Sequence, residues 1–572
     1  MAWKAVYEQW RQTDNLGELV LNDLKIIENN EDLIKDAFYA PLEFGTAGMR
    51  GIIGAGINRM NIYTVRQAAE GLALFIDSQN ETAKKRGVAI AYDCRHQSPE
   101  FAMAAAETLA AHGIRSFVFE SLRPTPELSF AVRELNCAAG IMITASHNPS
   151  DYNGFKVYGE DGGQMPPEAA DAVTAYVRSI ENPLEIEVVS QEKAPDYITI
   201  IGEDLDKKYL EQIKTVTINK RLISDYGKNL KLIFTPLHGT GKMLGERALR
   251  QAGFDSFEFV EAQAIADPNF STVVSPNPEE HAAFEYAIKQ GKETGADVLI
   301  ATDPDADRLG AAVRLPNGEY QVLTGNQLGS IMLHYILSAK NESGQLAQNT
   351  VALKSIVSSE LPAKICQKFD VDMIDVLTGF KFIAEKIKEY EQTGEKEFVF
   401  GFEESYGYLI KPFARDKDAI QALVLLAEIA TFYKSKGQSL FDGLQEIYKE
   451  FGFYIEKTIS KTFKGIEGIQ KIKDLMSAVR ENKPVEFGGI PVAAVEDYSL
   501  DQVTYSSGHV NNIGLPKANV LKFKLTNGSW IAIRPSGTEP KIKFYIGVNA
   551  DSEIRAQEIF DAILLSVNEL SD

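Results

Sequence analysis

The sequence lacks a disulfide framework and a long apolar run, and each absence excludes a class of protein. Its 572 residues contain three cysteines, which lie far apart and without the spacing of a metal site. So few cysteines are typical of a chain kept in a reducing compartment. No apolar run approaches the roughly 20 residues that span a bilayer, and the charged first residues lack a signal-peptide core. We therefore expect a cytoplasmic protein without a membrane partner.

Positive charge is also scarce. The chain has 59 Lys and Arg residues against 80 Asp and Glu residues, which gives a net charge of −21. This balance argues against nucleic acid or an anionic membrane as the main partner. A small phosphorylated substrate remains compatible with it, because a few local Arg and Lys residues are enough to hold one phosphate. The expected assembly is a monomer or a homodimer.

Strand and helix patterns divide the chain into four predicted units. In order, these units cover residues 1–200, 201–312, 313–452 and 453–572. In the first unit, apolar strands at 88–93 and 116–119 flank a helix that starts near Ser98. A strand–helix–strand crossover of this kind predicts a mainly parallel sheet, and hence an α/β fold class.

The first candidate for chemistry is Thr-Ala-Ser-His-Asn-Pro at residues 144–149, directly after a short apolar strand. The motif places the hydroxyl of Ser146 on a turn at a strand end, where α/β sheets bind ligands. His147 beside it and Lys156 ten residues later add groups for proton transfer and anion binding. The alternative is a serine that only caps a turn.

The second candidate is Asp-Pro-Asp-Ala-Asp-Arg at residues 303–308. Alternate carboxylates on an extended segment point to one side, and three oxygen ligands suit Mg²⁺. An EF-hand loop also begins with alternating Asp residues, but it requires Gly at position six and Glu at position twelve, where this chain has Arg308 and Arg314. A solvated acidic turn is the remaining alternative.

Two glycine-rich segments bear on phosphate binding. The segment at 45–51 combines three glycines with Arg50, whose guanidinium fits phosphate, although a plain turn would look similar. The segment at 238–242 resembles a P-loop only superficially, because Pro236 and Met243 stand where Gly and Ser or Thr are required. A nucleotide kinase is therefore disfavoured.

Candidate substrate contacts lie in the second half of the chain. Glu403 and Ser405 follow a predicted strand and are able to hydrogen-bond sugar hydroxyls, although acidic residues at a helix start would look the same. Arg-Pro-Ser-Gly-Thr at 534–538 predicts a metal-free phosphate cradle of Arg534, Ser536, Gly537 and Thr538. Further candidate substrate contacts are Arg308, Gly379, Lys381 and Lys417.

Taken in order, the Ser, Asp, Glu-Glu-Ser and Arg-Pro-Ser-Gly-Thr motifs resemble the α-D-phosphohexomutase superfamily over roughly residues 40–550. The segment 401–408 looks most like the longer bacterial α-phosphoglucomutases, which are similar to the mammalian phosphoglucomutase-2 group. The resemblance implies three similar α/β domains with mixed or parallel sheets and a smaller C-terminal α+β domain around a central cleft. Shorter family members carry Gly-His after the serine of the third motif, where this chain has Tyr-Gly-Tyr at 406–408.

The resemblance also implies roles for individual residues. Ser146 would be a phosphoserine and would hold Mg²⁺ together with Asp303, Asp305 and Asp307. Glu403 and Ser405 would contact the sugar, and the 534–538 cradle would hold the distal phosphate. Arg50 and Lys156 match positions beside the transferred group, and Lys156, His147 and Lys417 are alternative proton carriers.

The implied activity is a phosphoglucomutase with glucose 1,6-bisphosphate as activator and intermediate, and its substrates are sugar phosphates. Phosphopentomutase and phosphomannomutase are alternatives within the same class. A serine hydrolase is disfavoured, because the chain lacks a Gly-x-Ser-x-Gly elbow at Ser146 and the Asp triplet would have no role. A non-catalytic sugar-phosphate sensor would keep the cradle without needing a modified Ser146.

Overall fold

The structure is a computed structural model that describes residues 2–45, 48–463, 465–536 and 541–571. Among the helices of these residues, none combines the length and the apolar character that a membrane span needs. The strands form four separate sheets. Three of them are mixed sheets covered by helices, and the fourth is antiparallel. The predicted α/β class, with three similar domains and a different C-terminal domain, is confirmed.

The first unit has a six-stranded sheet in the order β1-β5-β4-β2-β3-β6. Its strands are β1 (Met49–Ile52), β2 (Val88–Tyr92), β3 (Ser116–Phe119), β4 (Ala139–Ile143), β5 (Tyr152–Tyr158) and β6 (Ile198–Ile201). Its helices are α1 (Ala2–Gln12), α2 (Glu18–Ile27), α3 (Glu31–Phe38), α4 (Ile62–Asp77), α5 (Glu81–Arg86), α6 (Ser98–Ala111), α7 (Thr125–Glu134) and α8 (Pro167–Ser179). Every residue of β2 and β4 is buried, as expected of central strands covered on both faces.

The second unit has a five-stranded sheet in the order β11-β10-β9-β7-β8. Its strands are β7 (Leu232–Thr235), β8 (Glu258–Phe259), β9 (Val298–Thr302), β10 (Leu309–Arg314) and β11 (Tyr320–Leu323). Its helices are α9 (Glu203–Ile213), α10 (Lys220–Tyr226), α11 (Gly241–Ala252) and α12 (Glu285–Thr294). Because β10 and β11 form an antiparallel hairpin, this sheet continues to Leu323 and passes the boundary at residue 312 drawn from the sequence.

The third unit has a four-stranded sheet in the order β13-β12-β14-β15. Its strands are β12 (Thr350–Ser355), β13 (Asp372–Val376), β14 (Glu397–Glu403) and β15 (Gly407–Leu409). Its helices are α13 (Gly325–Glu342), α14 (Leu361–Lys368), α15 (Phe380–Thr393), α16 (Ala419–Ser435) and α17 (Leu440–Phe451). Helix α16 is apolar on almost every face, and it is buried between α13 and α17 of its own unit and α10 and α11 of the second.

The last unit is an antiparallel sheet in the order β16-β23-β22-β21-β18-β19-β20, with β17 beside β18. Its strands are β16 (Phe453–Thr462), β17 (Glu486–Phe487), β18 (Ile490–Asp497), β19 (Gln502–Tyr505), β20 (Val510–Asn512), β21 (Leu521–Leu525), β22 (Trp530–Pro535) and β23 (Lys541–Ala550). Its helices are α18 (Gly465–Glu481) and α19 (Glu553–Ser571). The central strands and α19 enclose a separate apolar core.

The first three sheets share one topology. In each sheet, three neighbouring strands are parallel. The last of these three in the chain continues through an antiparallel hairpin, β4–β5, β9–β10 or β14–β15, into the next strand. Each hairpin loop contains one non-glycine residue with positive φ, namely Ser146 at 51°, Ala306 at 49° and Tyr406 at 64°. The three loops therefore occupy equivalent places in three similar units, and each of them carries one of the polar motifs.

Candidate active site

Ser146 lies at the junction of the first two hairpin loops. Its side chain is buried, and its Oγ donates a hydrogen bond to Asp303 Oδ2 at 2.7 Å. The Nδ1 atom of His147 lies 3.2 Å from the same oxygen. A φ of 51° is costly for a serine, so the surrounding loop must hold this residue firmly.

Arg95 fixes the loop that contains Ser146, and sequence analysis did not identify this residue. Its buried guanidinium donates four hydrogen bonds of 2.6–2.9 Å to backbone carbonyls of the serine loop, those of Ser146, Asn148, Pro149 and Tyr152. The Nε atom lies 3.3 Å from Asp93 Oδ2, which also accepts a hydrogen bond from Thr144. These four hydrogen bonds fix the backbone of the loop around Ser146, and Asp93 balances the charge of Arg95.

The three Asp residues of the second hairpin loop form a compact group of buried oxygens. One carboxylate oxygen from each of Asp303, Asp305 and Asp307 lies within 4.8 Å of the others. Asp305 Oδ1 and Asp307 Oδ1 are buried without a hydrogen-bond partner, and Arg308 Nε lies 3.7 Å from the second of them. Unpartnered buried carboxylate oxygens are costly unless a cation binds them. The donor set therefore fits a hard divalent cation.

Two lysines neutralise the outer sides of these carboxylates. Lys156 Nζ lies 2.6 Å from Asp305 Oδ2 and 3.6 Å from Asp307 Oδ2. Lys417 Nζ lies 3.1 Å from Asp307 Oδ2 and 2.9 Å from Asp416 Oδ1. Although burial acts in the opposite direction, these two carboxylates raise the pKa of Lys417. Both ammonium groups therefore serve as fixed positive charges behind the Asp triplet.

The pKa values of Asp303 and Asp305 are shifted in opposite directions. Burial, together with the charges of Asp305 and Asp307, raises the pKa of Asp303 well above its usual value. Burial also acts to raise the pKa of Asp305, but the Lys156 ammonium outweighs it and lowers that pKa. Burial, and then the charges of Arg308 and Arg50, lower the pKa of His147 well below its usual value. The negative charge of the triplet is thus least compensated around Asp303, the carboxyl group that faces Ser146, and this raises its tendency to hold a proton.

A cleft of about 550 Å³ opens beside Ser146 and has walls from all four units. The first three units contribute His147, Asn277, Glu279, Arg308, Thr378, Gly379, Glu403, Glu404 and Ser405. The last unit contributes Thr458, Ser460, Arg534, Lys541, Lys543 and Tyr545. Six of the residues predicted from the sequence therefore line the same cleft: His147, Arg308, Gly379, Glu403, Ser405 and Arg534.

The third hairpin loop supplies carboxylates to this cleft. Glu403 accepts a hydrogen bond from the backbone N–H of Gly379 at 2.6 Å. Glu404, which sequence analysis missed, accepts hydrogen bonds from Ser355 at 2.8 Å and Ser358 at 3.3 Å. These bonds fix two carboxylates at the wall of the cleft, where they are able to accept hydrogen bonds from hydroxyl groups.

The part of the cleft that is lined by the last unit is cationic. Arg534 and Lys543 are directly paired across β22 and β23, and both line the cleft with Lys541. Like charges at paired positions destabilise a sheet, which indicates a site built for an anion. Sequence analysis did not identify Lys543. The signal was present, because Lys541 and Lys543 alternate with buried apolar residues in the strand that follows Arg534. The backbone N–H of Ser536 donates to Lys541 O at 2.7 Å, whereas Gly537 and Thr538 lie outside the described residues.

Besides Ser146, Lys156 and the Asp triplet, which lie next to the cleft, three further predicted residues are outside its lining. Lys381 lines a separate cavity of about 290 Å³ between the first and third units. Lys417 is buried behind the Asp triplet and supports it instead of facing the open space. Arg50 is exposed on β1, and its Nη1 donates to Asn148 Oδ1 at 3.3 Å, so it borders the serine loop.

Comparison with known proteins agrees with this arrangement. Four family models match in order: phosphoglucomutase/phosphomannomutase α/β/α domain I at residues 41–184, domain II at 207–317, domain III at 324–451, and the C-terminal domain at 471–566. The four models together cover most of the chain, and the Ser, Asp, Glu-Glu-Ser and Arg-Pro-Ser-Gly-Thr motifs fall in successive domains.

Two bacterial proteins of similar sequence are both named phosphoglucomutase. The chain is 40% identical over 537 residues to a phosphoglucomutase of Staphylococcus aureus strain MW2, covering 94% of this chain and 93% of that protein. It is 41% identical over 533 residues to a phosphoglucomutase of Staphylococcus haemolyticus strain JCSC1435, covering 92% of this chain and 94% of that protein.

Solved structures share the fold. Parafusin, an exocytosis-sensitive phosphoprotein and phosphoglucomutase from Paramecium, superposes with a TM-score of 0.67 at 18% identity, covering 93% of this chain and 96% of its own. A phosphoglucomutase/phosphomannomutase family protein from Burkholderia thailandensis superposes with a TM-score of 0.64 at 19% identity, covering 92% of this chain and 97% of its own. The resemblance noted in the sequence motifs is confirmed. The chain belongs to the phosphoglucomutase/phosphomannomutase family, within the α-D-phosphohexomutases.

Proposed function

We propose that this protein interconverts α-D-glucose 1-phosphate and D-glucose 6-phosphate through a phosphorylated Ser146 and a glucose 1,6-bisphosphate intermediate. Its relation to phosphoglucomutases makes it an intramolecular phosphotransferase, an isomerase. One observation carries the proposal. The hydroxyl of Ser146 contacts the Asp triplet beside a cleft whose lining includes Arg534 and Lys543. A sugar that bears one phosphate fits between an anion site and a phosphoserine.

Asp303, Asp305 and Asp307, together with a phosphate oxygen on Ser146, would hold Mg²⁺. The two unpartnered oxygens, Asp305 Oδ1 and Asp307 Oδ1, support this assignment. When bound, Mg²⁺ supplies positive charge beside the transferred phosphoryl oxygens. Lys156 and Lys417 keep the carboxylates in place and balance their charge.

The proposed reaction has two phosphoryl transfers. In the first, a free hydroxyl oxygen of the bound sugar attacks the phosphorus of phospho-Ser146. The new O–P bond forms as the bond to Ser146 Oγ breaks, and the hydroxyl proton passes to a base. The bisphosphate then turns within the cleft, and Ser146 Oγ attacks its other phosphorus. The bond between that phosphorus and its sugar oxygen breaks, the base returns the proton to this oxygen, and the phosphoserine is regenerated. Positioning and charge neutralisation contribute most to transfers of this kind.

The proton carrier is to be sought among His147, Lys156 and Lys417. Of these three, only His147 has a side chain that lines the cleft, and its Nδ1 lies 3.2 Å from Ser146 Oγ. The two lysines are engaged by Asp carboxylates. Geometry therefore favours His147 for proton transfer and the lysines for electrostatic support.

Sugar preference is the part of the proposal that a substrate panel tests directly. Purified protein is assayed with Mg²⁺ and catalytic glucose 1,6-bisphosphate on glucose 1-phosphate, mannose 1-phosphate and ribose 1-phosphate. We expect the highest kcat/KM with glucose 1-phosphate, because the chain is 40–41% identical to phosphoglucomutases over more than nine-tenths of its length. A clear preference for the mannose or ribose ester would replace the proposed activity with that of a phosphomannomutase or phosphopentomutase.

Arg534→Ala tests the assignment of the distal phosphate site. A charge-assisted hydrogen bond contributes about 1.5–3 kcal/mol, so we expect KM for glucose 1-phosphate to rise roughly 10–100-fold. The Mg²⁺ concentration for half-maximal activity should stay within about twofold, because the contacts seen for the three Asp carboxylates are made with Ser146, Thr125, Lys156, Lys417 and Arg308, and not with Arg534. Arg555→Ala, on the exposed face of α19, is the matched control. An equal loss of substrate and Mg²⁺ affinity would contradict this division of roles.

A further inference from the structure

Thr125 connects the first unit to the loop that carries the Asp triplet. It is the first residue of α7, and its side chain is fully buried. Its Oγ1 donates a hydrogen bond to Asp305 Oδ2 at 2.8 Å, and its backbone N–H donates to Asp305 O at 2.9 Å. One residue thus fixes both the carboxylate and the backbone of Asp305, which lies 180 positions further along the chain.

These bonds determine which carboxylate oxygen stays available. Thr125 and Lys156 both contact Asp305 Oδ2, at 2.8 and 2.6 Å. The other oxygen, Oδ1, is buried and has no partner. A carboxylate held by one oxygen in this way cannot turn about its Cβ–Cγ bond without breaking both contacts. Oδ1 is therefore kept in its buried position, free of hydrogen-bond partners in the structure.

The hydroxyl of Thr125 is not used by its own helix. The N-cap of α7 is Pro124, and no side chain caps the helix. A threonine at a helix start commonly accepts a hydrogen bond from the first turn, but here it donates to a carboxylate of another unit. A helix-stabilising role for this hydroxyl is therefore not supported by its contacts.

The position of Thr125 is itself anchored to the second unit. Arg123, two residues earlier, donates to both carboxylate oxygens of Asp206 on α9, at 2.8 and 2.9 Å. Both side chains are buried, and Pro124 restricts the backbone between Arg123 and Thr125. The segment thus contacts the second unit at two fixed points.

We propose that Thr125 is a positioning residue for the metal site: it holds Asp305 so that Oδ1 faces the bound cation. This inference rests on the proposed metal site and adds a residue to it. Residues that orient a metal ligand typically change metal affinity 10–100-fold when they are removed. Thr125 lies outside the lining of the cleft, so its effect should reach the reaction through Asp305.

The test measures metal binding directly, without turnover. Mn²⁺ serves as the probe, and its free concentration is read from its electron paramagnetic resonance signal during titration of full-length protein. Thr125→Val replaces the hydroxyl with a methyl group of similar size, and Thr125→Ser restores the hydroxyl. Thr108→Val is the matched control, because Thr108 is equally buried and its hydroxyl bonds only within α6, to Ala104 O at 2.8 Å.

We expect Thr125→Val to weaken Mn²⁺ binding roughly 10-fold or more, and Thr125→Ser and Thr108→Val to bind nearly as the wild type does. Thr125→Ala, made in parallel, removes the hydroxyl without placing a methyl group beside the carboxylate, and it replaces the valine variant if that one does not fold. Wild-type affinity in a folded variant without the hydroxyl would overturn the inference. Failure of the wild type to bind Mn²⁺ would instead overturn the metal site and, with it, the role of Thr125.

Discussion

Ser146→Ala is expected to lower kcat at least about 10⁴-fold, the scale of loss seen when a covalent nucleophile is removed. Without the hydroxyl, no phosphoserine forms, and the bisphosphate has no acceptor for its second phosphoryl group. The measurement is a coupled assay for glucose 6-phosphate formation. Intact-mass analysis of the same preparations should detect one phosphoryl group on a fraction of the wild type and none at residue 146 of the variant.

The control for this variant is Ser116→Ala. Ser116 lies on β3 of the same sheet, and its buried Oγ has no hydrogen-bond partner. Its removal should leave both activity and phosphate content unchanged. Activity of Ser146→Ala within tenfold of the wild type would contradict the assigned nucleophile, and it would favour either direct transfer between sugars or a different acceptor residue.

The motifs that sequence analysis predicted best are those placed by local structure. The residues before Ser146 and Asp303 are apolar runs, β4 and β9, which are buried throughout. Each run ends at a polar turn, and strand ends are where α/β sheets bind ligands. These features are local, so a single sequence is enough to expect both loops at the site.

The contact between these loops is not local. Ser146 and Asp303 are 157 residues apart and belong to different sheets, yet their side chains lie 2.7 Å from each other. Only the packing of the first unit against the second determines that distance. In the sequence analysis, only the resemblance to a family predicted that Ser146 and Asp303 lie close together. Hydrophobic periodicity and motif spacing carry no information on the distance between residues of two different domains.

The residues that sequence analysis missed act through long-range partners. Arg95 follows a strand and looks like an ordinary surface arginine, but it is buried and binds carbonyls more than fifty positions away. Ser98 has the sequence setting of a helix N-cap, but it is the first residue of α6, and its Oγ accepts a hydrogen bond at 3.0 Å from Asn153, 55 positions away. In both cases a local pattern has several physical uses, and tertiary packing selects among them.

The second large effect is expected at the Asp triplet, where Asp307→Asn should lower kcat/KM about 10³-fold. A bound dication contributes several kcal/mol to a phosphoryl-transfer transition state, and each 1.4 kcal/mol corresponds to about tenfold. The substitution keeps the shape of the side chain but removes one anionic ligand. It also removes one of the two carboxylates that pair with Lys417, the one 3.1 Å away, and leaves more positive charge behind the site.

Activity is to be measured as a function of Mg²⁺ concentration for the wild type, Asp307→Asn and the exposed control Asp204→Asn. We expect a large rise in the Mg²⁺ requirement of Asp307→Asn and none in the control, whose side chain is fully exposed on α9. Treatment with a chelator should reduce the wild type severely and should change the already impaired Asp307→Asn much less, because both act on the same cation. If the wild type keeps its activity after chelation, the unpartnered oxygens of Asp305 and Asp307 must serve another purpose, and the metal-dependent mechanism would be wrong.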